Sequence, residues 1–206
     1  MTMGLPLILL VSAPSGAGKT TVGEGLLRQA PRLRRVVTCT TRPPRAGEVA
    51  GVDYHFLSPA DFSERVARGE FLEHATVYGK SYGTLKSSVL EQLSAGHDVL
   101  LIIDVQGAAS VRAVAQADPV LSGALVTVFL TPSGMGELER RLRGRASEAE
   151  EVVQRRLQAA REEAARWGEF DYLIVSGTRE QDLHRLHSVY VAESLRRERQ
   201  DFHFAD

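Results

Sequence analysis

The stretch that most constrains this chain is Leu7-Ile8-Leu9-Leu10-Val11-Ser12-Ala13-Pro14-Ser15-Gly16-Ala17-Gly18-Lys19-Thr20-Thr21. Its apolar first half has the length of a buried strand. Pro14 breaks it into a glycine-containing turn, and an amphipathic segment from Val22 to Leu27 follows. Strand, turn and helix in that order are the context in which a G-x-x-x-x-G-K-[ST]-like sequence becomes a phosphate loop. Small residues at Gly16, Ala17 and Gly18 let backbone N–H groups wrap around phosphate oxygens, and the helix behind them adds its positive dipole end. Lys19 is then placed to reach β- and γ-phosphates and the Thr20 hydroxyl to ligate Mg²⁺. Nucleoside triphosphate binding along Ala13, Pro14, Ser15, Gly16, Ala17, Gly18, Lys19, Thr20 and Thr21 is the first expectation. The leading glycine of the pattern is Ala13 here. A tight turn with a merely solvated lysine is set aside because strand and helix are both in place.

A chain of 206 residues is ample for one α/β domain with an inserted lobe. The net charge of -1 argues against non-specific nucleic-acid binding, which needs a basic surface. The basic residues are clustered all the same: Arg32, Arg34, Arg35, Arg42 and Arg45 in one group, Arg140, Arg141, Arg143 and Arg145 in another. Cys39 is the only cysteine, which excludes an intrachain disulfide and points to a reducing compartment. The apolar run Leu5 to Val11 is short, lacks a basic leader and enters the phosphate loop directly, so it does not read as a secretory signal. No run approaches membrane-spanning length. A cytoplasmic protein without membrane or nucleic-acid partners is expected.

Along the chain, Val36 to Thr38 is predicted as a second short strand and Tyr54 to Leu57 as extended. Ser58-Pro59-Ala60-Asp61 marks a helix start, with Ser as N-cap and Pro at the first helical position; this helix carries Phe62 and Val66 and ends near Gly69. Phe71 to Val77 alternates like a strand. Tyr78 to Thr84 reads as a turn before a helix through Val89, Leu90 and Leu93 that stops at Gly96. Val99-Ile103, Leu125-Leu130 and Tyr172-Val175 are continuous apolar runs, the pattern of parallel strands buried on both faces. The last helix, about 178 to 199, opens on a Thr-x-x-Gln cap.

A second site is carried by Thr40-Thr41-Arg42-Pro43-Pro44-Arg45-Ala46-Gly47-Glu48 and Tyr54-His55-Phe56. Arg42 and Arg45 lie close together on a loop and can grip one phosphate through their guanidinium forks; alone they would read equally as a solvated basic loop. Glu73 sits among Phe71, Leu72 and Ala75, and a carboxylate there can accept both the N1–H and the exocyclic amine of guanine, a donor pair adenine does not offer. A solvent-facing strand glutamate is the alternative. Asp104 ends an apolar strand, where doubly wound folds bind ligands.

The Thr, Thr, Arg, basic, acid, Gly, Tyr-x-Phe order resembles the guanylate kinase signature. The resemblance continues through Phe71-Leu72-Glu73-His74, Tyr82-Gly83-Thr84, Ile103-Asp104-Val105-Gln106-Gly107 and the Arg-rich stretch near Gly144, over nearly the whole chain. It implies that Arg42, Arg45, Tyr54 and Tyr82 hold the GMP phosphate, and that Glu73 reads guanine with help from Thr38, Thr84 and Asp104. It places ATP phosphates against Arg141, Arg145 and Arg156 of a lid between two helices, the second opening on a Ser147-Glu148-Ala149-Glu150 capping box. Arg140, Arg143 and Arg155 read instead as surface partners of neighbouring carboxylates. Two positions depart from the family: Ile102, where another acid is usual, and Ser176, where Asn near the adenine is common. Two roles stay open for Asp104, guanine contact and support of Mg²⁺ through water. His74 reads as a partly buried spacer.

The resemblance implies a P-loop NTPase-type parallel sheet flanked by helices. Residues 1–38, 85–135 and 157–206 form the core, 39–84 a small GMP-binding lobe and 136–156 a helical lid. It implies MgATP-dependent phosphorylation of GMP, and of dGMP, within purine nucleotide metabolism, with Lys19, Arg42, Arg141, Arg145 and Arg156 at the reacting phosphates. Monomer and homo-oligomer are both open. Two rivals remain: a phosphotransferase for another acceptor, and a non-enzymatic domain of similar fold, which the intact Gly18-Lys19-Thr20 argues against.

Overall fold

The computed structural model describes residues 4–77, 79–143 and 150–201; the side chains of residues 142 and 152 are not described. A five-stranded sheet runs in the order β2-β7-β1-β8-β9, from β1 (Ile8–Ser12), β2 (Leu33–Arg35), β7 (Asp98–Ile102), β8 (Leu125–Thr131) and β9 (Tyr172–Val175). Every pairing in it is parallel. β1 is central because all five of its residues are buried, and its two faces feed different cores. Leu7, Leu9 and Val11 pack with Val22 and Leu26 of α1 (Lys19–Gln29) and Leu186 of α8 (Arg179–Ser194). Ile8 and Leu10 pack with Val89 and Leu93 of α3 (Lys86–Ser94) and Ala108 and Val111 of α4 (Val105–Gln116). Strand periodicity of two thus produces a three-layer arrangement.

β9 corrects an expectation. Its run is apolar, yet Leu173 and Val175 are exposed, because β9 is the sheet's edge strand. The early strand is also displaced. Leu33–Arg35 pairs with β7, whereas the chain passes through Val36 and Val37 and joins a different sheet at β3 (Thr38–Thr40).

The second sheet has the order β4-β3-β6-β5, with β4 (Tyr54–Phe56), β5 (Phe71–Val77) and β6 (Lys80–Leu85). Residues 80–84, predicted as turn, are strand, because β6 pairs antiparallel with both β5 and β3. Between β4 and β5, α2 (Pro59–Ala67) starts as read: the Ser58 hydroxyl accepts the Asp61 N–H at 3.1 Å and Pro59 opens the helix. The alternation predicted for β5 fails at its start, where Phe71, Leu72 and Glu73 are all buried. The register slips there: Phe71 faces Leu85 and Glu73 faces Thr84, which leaves Leu72 as the extra residue of a bulge. The bulge sends Phe71 into a small core with Cys39 and Phe62, and Leu72 into the α3–α4 core. The last helix ends at Ser194, short of the expected 199, and a single 3₁₀ turn spans Arg197–Arg199. Among the described residues no helix is long and apolar enough to cross a membrane.

Candidate active site

The carboxyl ends of β1, β7, β8 and β9 deliver the loops that carry the chemistry, the crevice position expected of an open parallel sheet. After β1 the chain turns through residues 13–18 into α1. Gly16 and Gly18 have φ of 89° and 99°, a left-handed backbone that side chains disfavour, and Gly18 is the N-cap residue of α1. α1 has no side-chain cap and no acidic residue in its first turn, so its positive end and N–H groups face the loop uncompensated. Ala13 and Ala17 are buried, and the Ala13 methyl belongs to the α1–α8 core, which accounts for alanine at the leading position. The Ala17 N–H donates to the Pro14 carbonyl at 3.1 Å, shaping the loop from within. Thr20 is exposed, and Lys19 and Thr21 are half-buried.

On the acceptor side a cleft of about 230 Å³ is lined by Thr38, Tyr54, Glu73, Tyr82, Thr84 and Asp104 together with Ile102. Glu73 is 9% exposed, and its Oε1 accepts the Thr84 hydroxyl at 2.6 Å. Burial pushes its carboxyl above the ordinary glutamate range; the Thr84 hydrogen bond pulls the other way and the nearby Asp104 charge adds to the rise. Asp104 is the N-cap of α4 and accepts the Gly107 N–H at 2.7 Å. A side chain on Gly107 would stand 3.3 Å from Glu73 Oε2 and 3.4 Å from Asp104 Oδ1, so a glycine keeps the space between the two carboxylates clear. His74, expected to be partly buried, is exposed, with its ring against those of Phe62 and Phe71.

Arg42 does not line this cleft but borders it, its guanidinium 5.5 Å from the centroid of the Tyr54 ring, while Tyr54 and Tyr82 lie edge to face at 6.3 Å. Glu48 organises the loop: it accepts Arg42 Nη2 at 2.7 Å and the Arg45 N–H at 2.7 Å. Hydrogen bonding to Arg42 holds the Glu48 carboxyl below its usual range. Arg45 itself is exposed.

The donor side is bounded by α6 (Met135–Arg143) and α7 (Glu150–Ala164). Arg145 and the Ser147–Ala149 part of the expected cap lie outside the described residues. Arg141 is half-buried and divides its donors three ways: Nη1 to the Ala17 carbonyl at 3.0 Å, Nη2 to Ser176 Oγ at 3.2 Å, and an ion pair with Glu137. Arg156 Nη2 stands 3.5 Å from Ser15 Oγ, and Glu163, seven residues along the same helix, accepts the Ser15 N–H at 2.9 Å. α7 is therefore fastened to the phosphate loop by two side chains of one face. Arg143 pairs with Glu139 and Glu150, as expected of a surface arginine, while Arg140 and Arg155 are exposed. A cleft of about 340 Å³ runs beside Gly16, Gly18, Thr21, Arg141, Gly177 and Asp182.

Ile102 lies where the resemblance suggested an acid, and its side chain fills the notch left by Gly23 of α1, where an added Cβ would fall 2.5 Å from it. Among the described residues no group of three or more His, Cys, Asp or Glu side chains could hold a metal ion. Glu137, Glu163 and Asp182 were not singled out from the sequence. Glu137 was legible as the i−4 partner of Arg141, and Glu163 as lying on the same α7 face as Arg156. A further cavity of about 1010 Å³ is lined by Leu5, Leu90, Leu93, Val120 and Arg199 among others and shares no residue with these clefts.

Comparison with known proteins agrees with this geometry. The guanylate kinase family model matches residues 5–193. The chain is 45% identical over 194 residues to the guanylate kinase of Paramagnetospirillum magneticum, covering 94% of this chain and 88% of that protein. It is 46% identical to that of Anaeromyxobacter dehalogenans over 92% of this chain and 82% of the relative. A crystal structure of guanylate kinase from Anaplasma phagocytophilum superposes with a TM-score of 0.72 at 29% identity, covering 97% of this chain and 93% of that one.

Proposed function

The chain belongs to the guanylate kinase family and is a nucleoside monophosphate kinase; from that premise we propose that it transfers the γ-phosphoryl group of ATP to GMP, and to dGMP, giving ADP and the diphosphate. The observation that carries the guanine assignment is Glu73. A desolvated carboxylate in a cleft of nucleobase size, already accepting a hydroxyl and facing a second carboxylate, supplies acceptors for the N1–H and amino group of guanine. Thr38, Thr84 and Asp104 complete this wall. Adenine would leave these groups unpaired, on the order of 10⁴-fold at a well-built site.

In this reading Arg42, Arg45, Tyr54 and Tyr82 hold the acceptor phosphate. Its second ionisation lies near about pH 6, so the attacking oxygen needs no general base. That oxygen bonds to the γ-phosphorus as the bond to the β–γ bridging oxygen breaks, with no covalent enzyme intermediate. The loop N–H groups and Lys19 hold the donor phosphates. Arg141 and Arg156, with Arg145 by resemblance, neutralise charge on the transferring oxygens. Closure of the lid excludes water that would hydrolyse ATP.

The exposed Thr20 hydroxyl, in the first turn of α1 behind the loop, would hold a Mg²⁺ that arrives on the triphosphate, and Asp104, just past the end of the neighbouring β7, would support it through water. When bound, that ion supplies charge neutralisation at the β- and γ-oxygens. The same reading divides the chain into core, acceptor lobe at 39–84 and lid at 136–156, and puts the enzyme in the cytoplasm in purine nucleotide metabolism.

A coupled assay of ADP release with MgATP and each monophosphate in turn tests the proposal. GMP- and dGMP-dependent turnover with AMP, CMP and UMP near background is expected. Turnover with another monophosphate instead would remove Glu73 from its role.

A further inference from the structure

We propose that Asp182 is a positioning residue for the phosphoryl donor, acting through Ser176 to fix Arg141 beside the phosphate loop; the proposal rests on the role given to Arg141 above. Asp182 stands in the first turns of α8, on the wall of the donor cleft, and is 3% exposed. A carboxylate so buried persists only where donors compensate its lost hydration. Two do: the Ser176 hydroxyl at 2.6 Å to Oδ2 and the Gly177 N–H at 2.8 Å to Oδ1. Ser176 is itself buried, and its backbone N–H is tied to the Thr131 carbonyl at 2.7 Å.

The consequence follows from the inventory of a hydroxyl, which has one proton and two lone pairs. With its proton directed at Asp182, Ser176 can only accept from its other side. There it meets Arg141 Nη2 at 3.2 Å, while Nη1 of the same guanidinium donates to the Ala17 carbonyl at 3.0 Å. Asp182 thereby sets the polarity of the serine, and the serine sets where the arginine rests. The arrangement also accounts for serine at position 176: the hydroxyl is a relay between a buried acid and the Arg141 guanidinium.

Asparagine at 182 keeps the shape but not the polarity. Its amide has one oxygen for two donors, and its NH₂ donating to Ser176 turns the serine proton toward Arg141, donor against donor. Removing the serine hydroxyl deletes the relay and leaves Asp182 its Gly177 partner.

The test uses the full chain and compares Asp182→Asn, Ser176→Ala, Arg141→Ala and the two doubles with Arg141→Ala, by steady-state kinetics and by calorimetric ATP binding. Asp182→Asn and Ser176→Ala should each lower kcat/KM for ATP about 10-fold with KM for GMP within about twofold, and neither should cost anything further in the Arg141→Ala background. An equal loss in both backgrounds overturns the proposal. So does a joint change in ATP and GMP constants with a lower melting temperature, which marks a structural acid only. Should Asp182→Asn not fold, Ser176→Ala decides, and misfolding of both overturns the proposal. If Arg141→Ala leaves ATP binding and turnover intact, or the wild type does not phosphorylate GMP, the underlying reading has failed and this one falls with it. A loss with Arg141→Ala but none with Asp182→Asn overturns the positioning role alone.

Discussion

The acceptor and donor sides of this cleft meet at the ends of the same strands but are built from different materials. The acceptor wall is a buried hydrogen-bonded cluster, Glu73–Thr84–Asp104–Gly107, on a strand pinned by a bulge. The donor wall is an uncapped helix end beside Arg141, whose present partners are the Ala17 carbonyl, the Ser176 hydroxyl and an ion pair with Glu137, with Glu163 on the loop amide of Ser15. Buried polar clusters are costly to rearrange and so serve recognition. Half-exposed ion pairs are worth little and exchange partners readily, which suits charges that must turn to a transient phosphoryl group. On the function proposed above, the contrast separates choosing the substrate from moving the phosphate.

The largest effect should come from the donor side. Lys19→Ala is expected to lower turnover by about 10³-fold or more while leaving GMP binding nearly intact. Loss of GMP affinity in calorimetry with that variant would collapse the separation. Next is Glu73→Gln, expected to weaken GMP and relax base choice by about 1–3 kcal/mol, the scale of one mismatched buried polar group. Unchanged affinity and preference in the monophosphate series would discharge Glu73 as the reader.

The same residue gives a pH test of opposite sense for stability and binding. A carboxyl whose native value is raised holds its proton more tightly in the fold than in the unfolded chain. Its contribution to stability is therefore fully present below the ordinary glutamate range and is lost as the pH rises through the raised native value. Above that raised value burial opposes the charge, and there Glu73→Gln should melt at a higher temperature than the wild type. In the wild type, KM for GMP should climb on acidification sooner than an unshifted glutamate would give; Glu73→Gln should flatten that limb. The smallest effect concerns Cys39, buried against Phe62 and Phe71, its thiol pushed up to about 11 by burial. Thiol reagent at pH 8 should leave the folded enzyme unmodified and fully active.

What the sequence disclosed follows from what decides each feature. The phosphate loop, β1, β7 and the start of α2 are local: apolar runs, glycines and an N-cap residue dictate them. β6 reads as a turn in sequence because a strand containing Gly83 and two serine or threonine hydroxyls is stabilised by its partners, β3 and β5, and not by its own composition. The exposure of β9 depends on sheet order, which an apolar run does not encode. Within the site, Thr38, Tyr54, Glu73, Tyr82, Thr84 and Asp104 do line one cleft. The face of Glu163 is legible in the α7 periodicity but its Ser15 partner, 148 residues away, is not, and the Asp182 contacts depend on how the loop of Ser176 and Gly177 folds back on α8.

The bulge at Leu72 has a mechanical consequence. Adjacent residues of one strand are sunk into different interiors, Phe71 with Cys39 and Phe62 and Leu72 in the core of α3 and α4, and the buried Glu73 is the next residue along. Swinging the lobe about this strand would draw a fully buried leucine out of its packing, at a cost of about 2–3 kcal/mol. β5 is thus a rivet and not a hinge: its amides near Leu72 should exchange with deuterium only as slowly as the whole domain opens, while the loop of Arg42 and Arg45, whose amides are held by the Thr40 and Glu48 side chains, exchanges sooner.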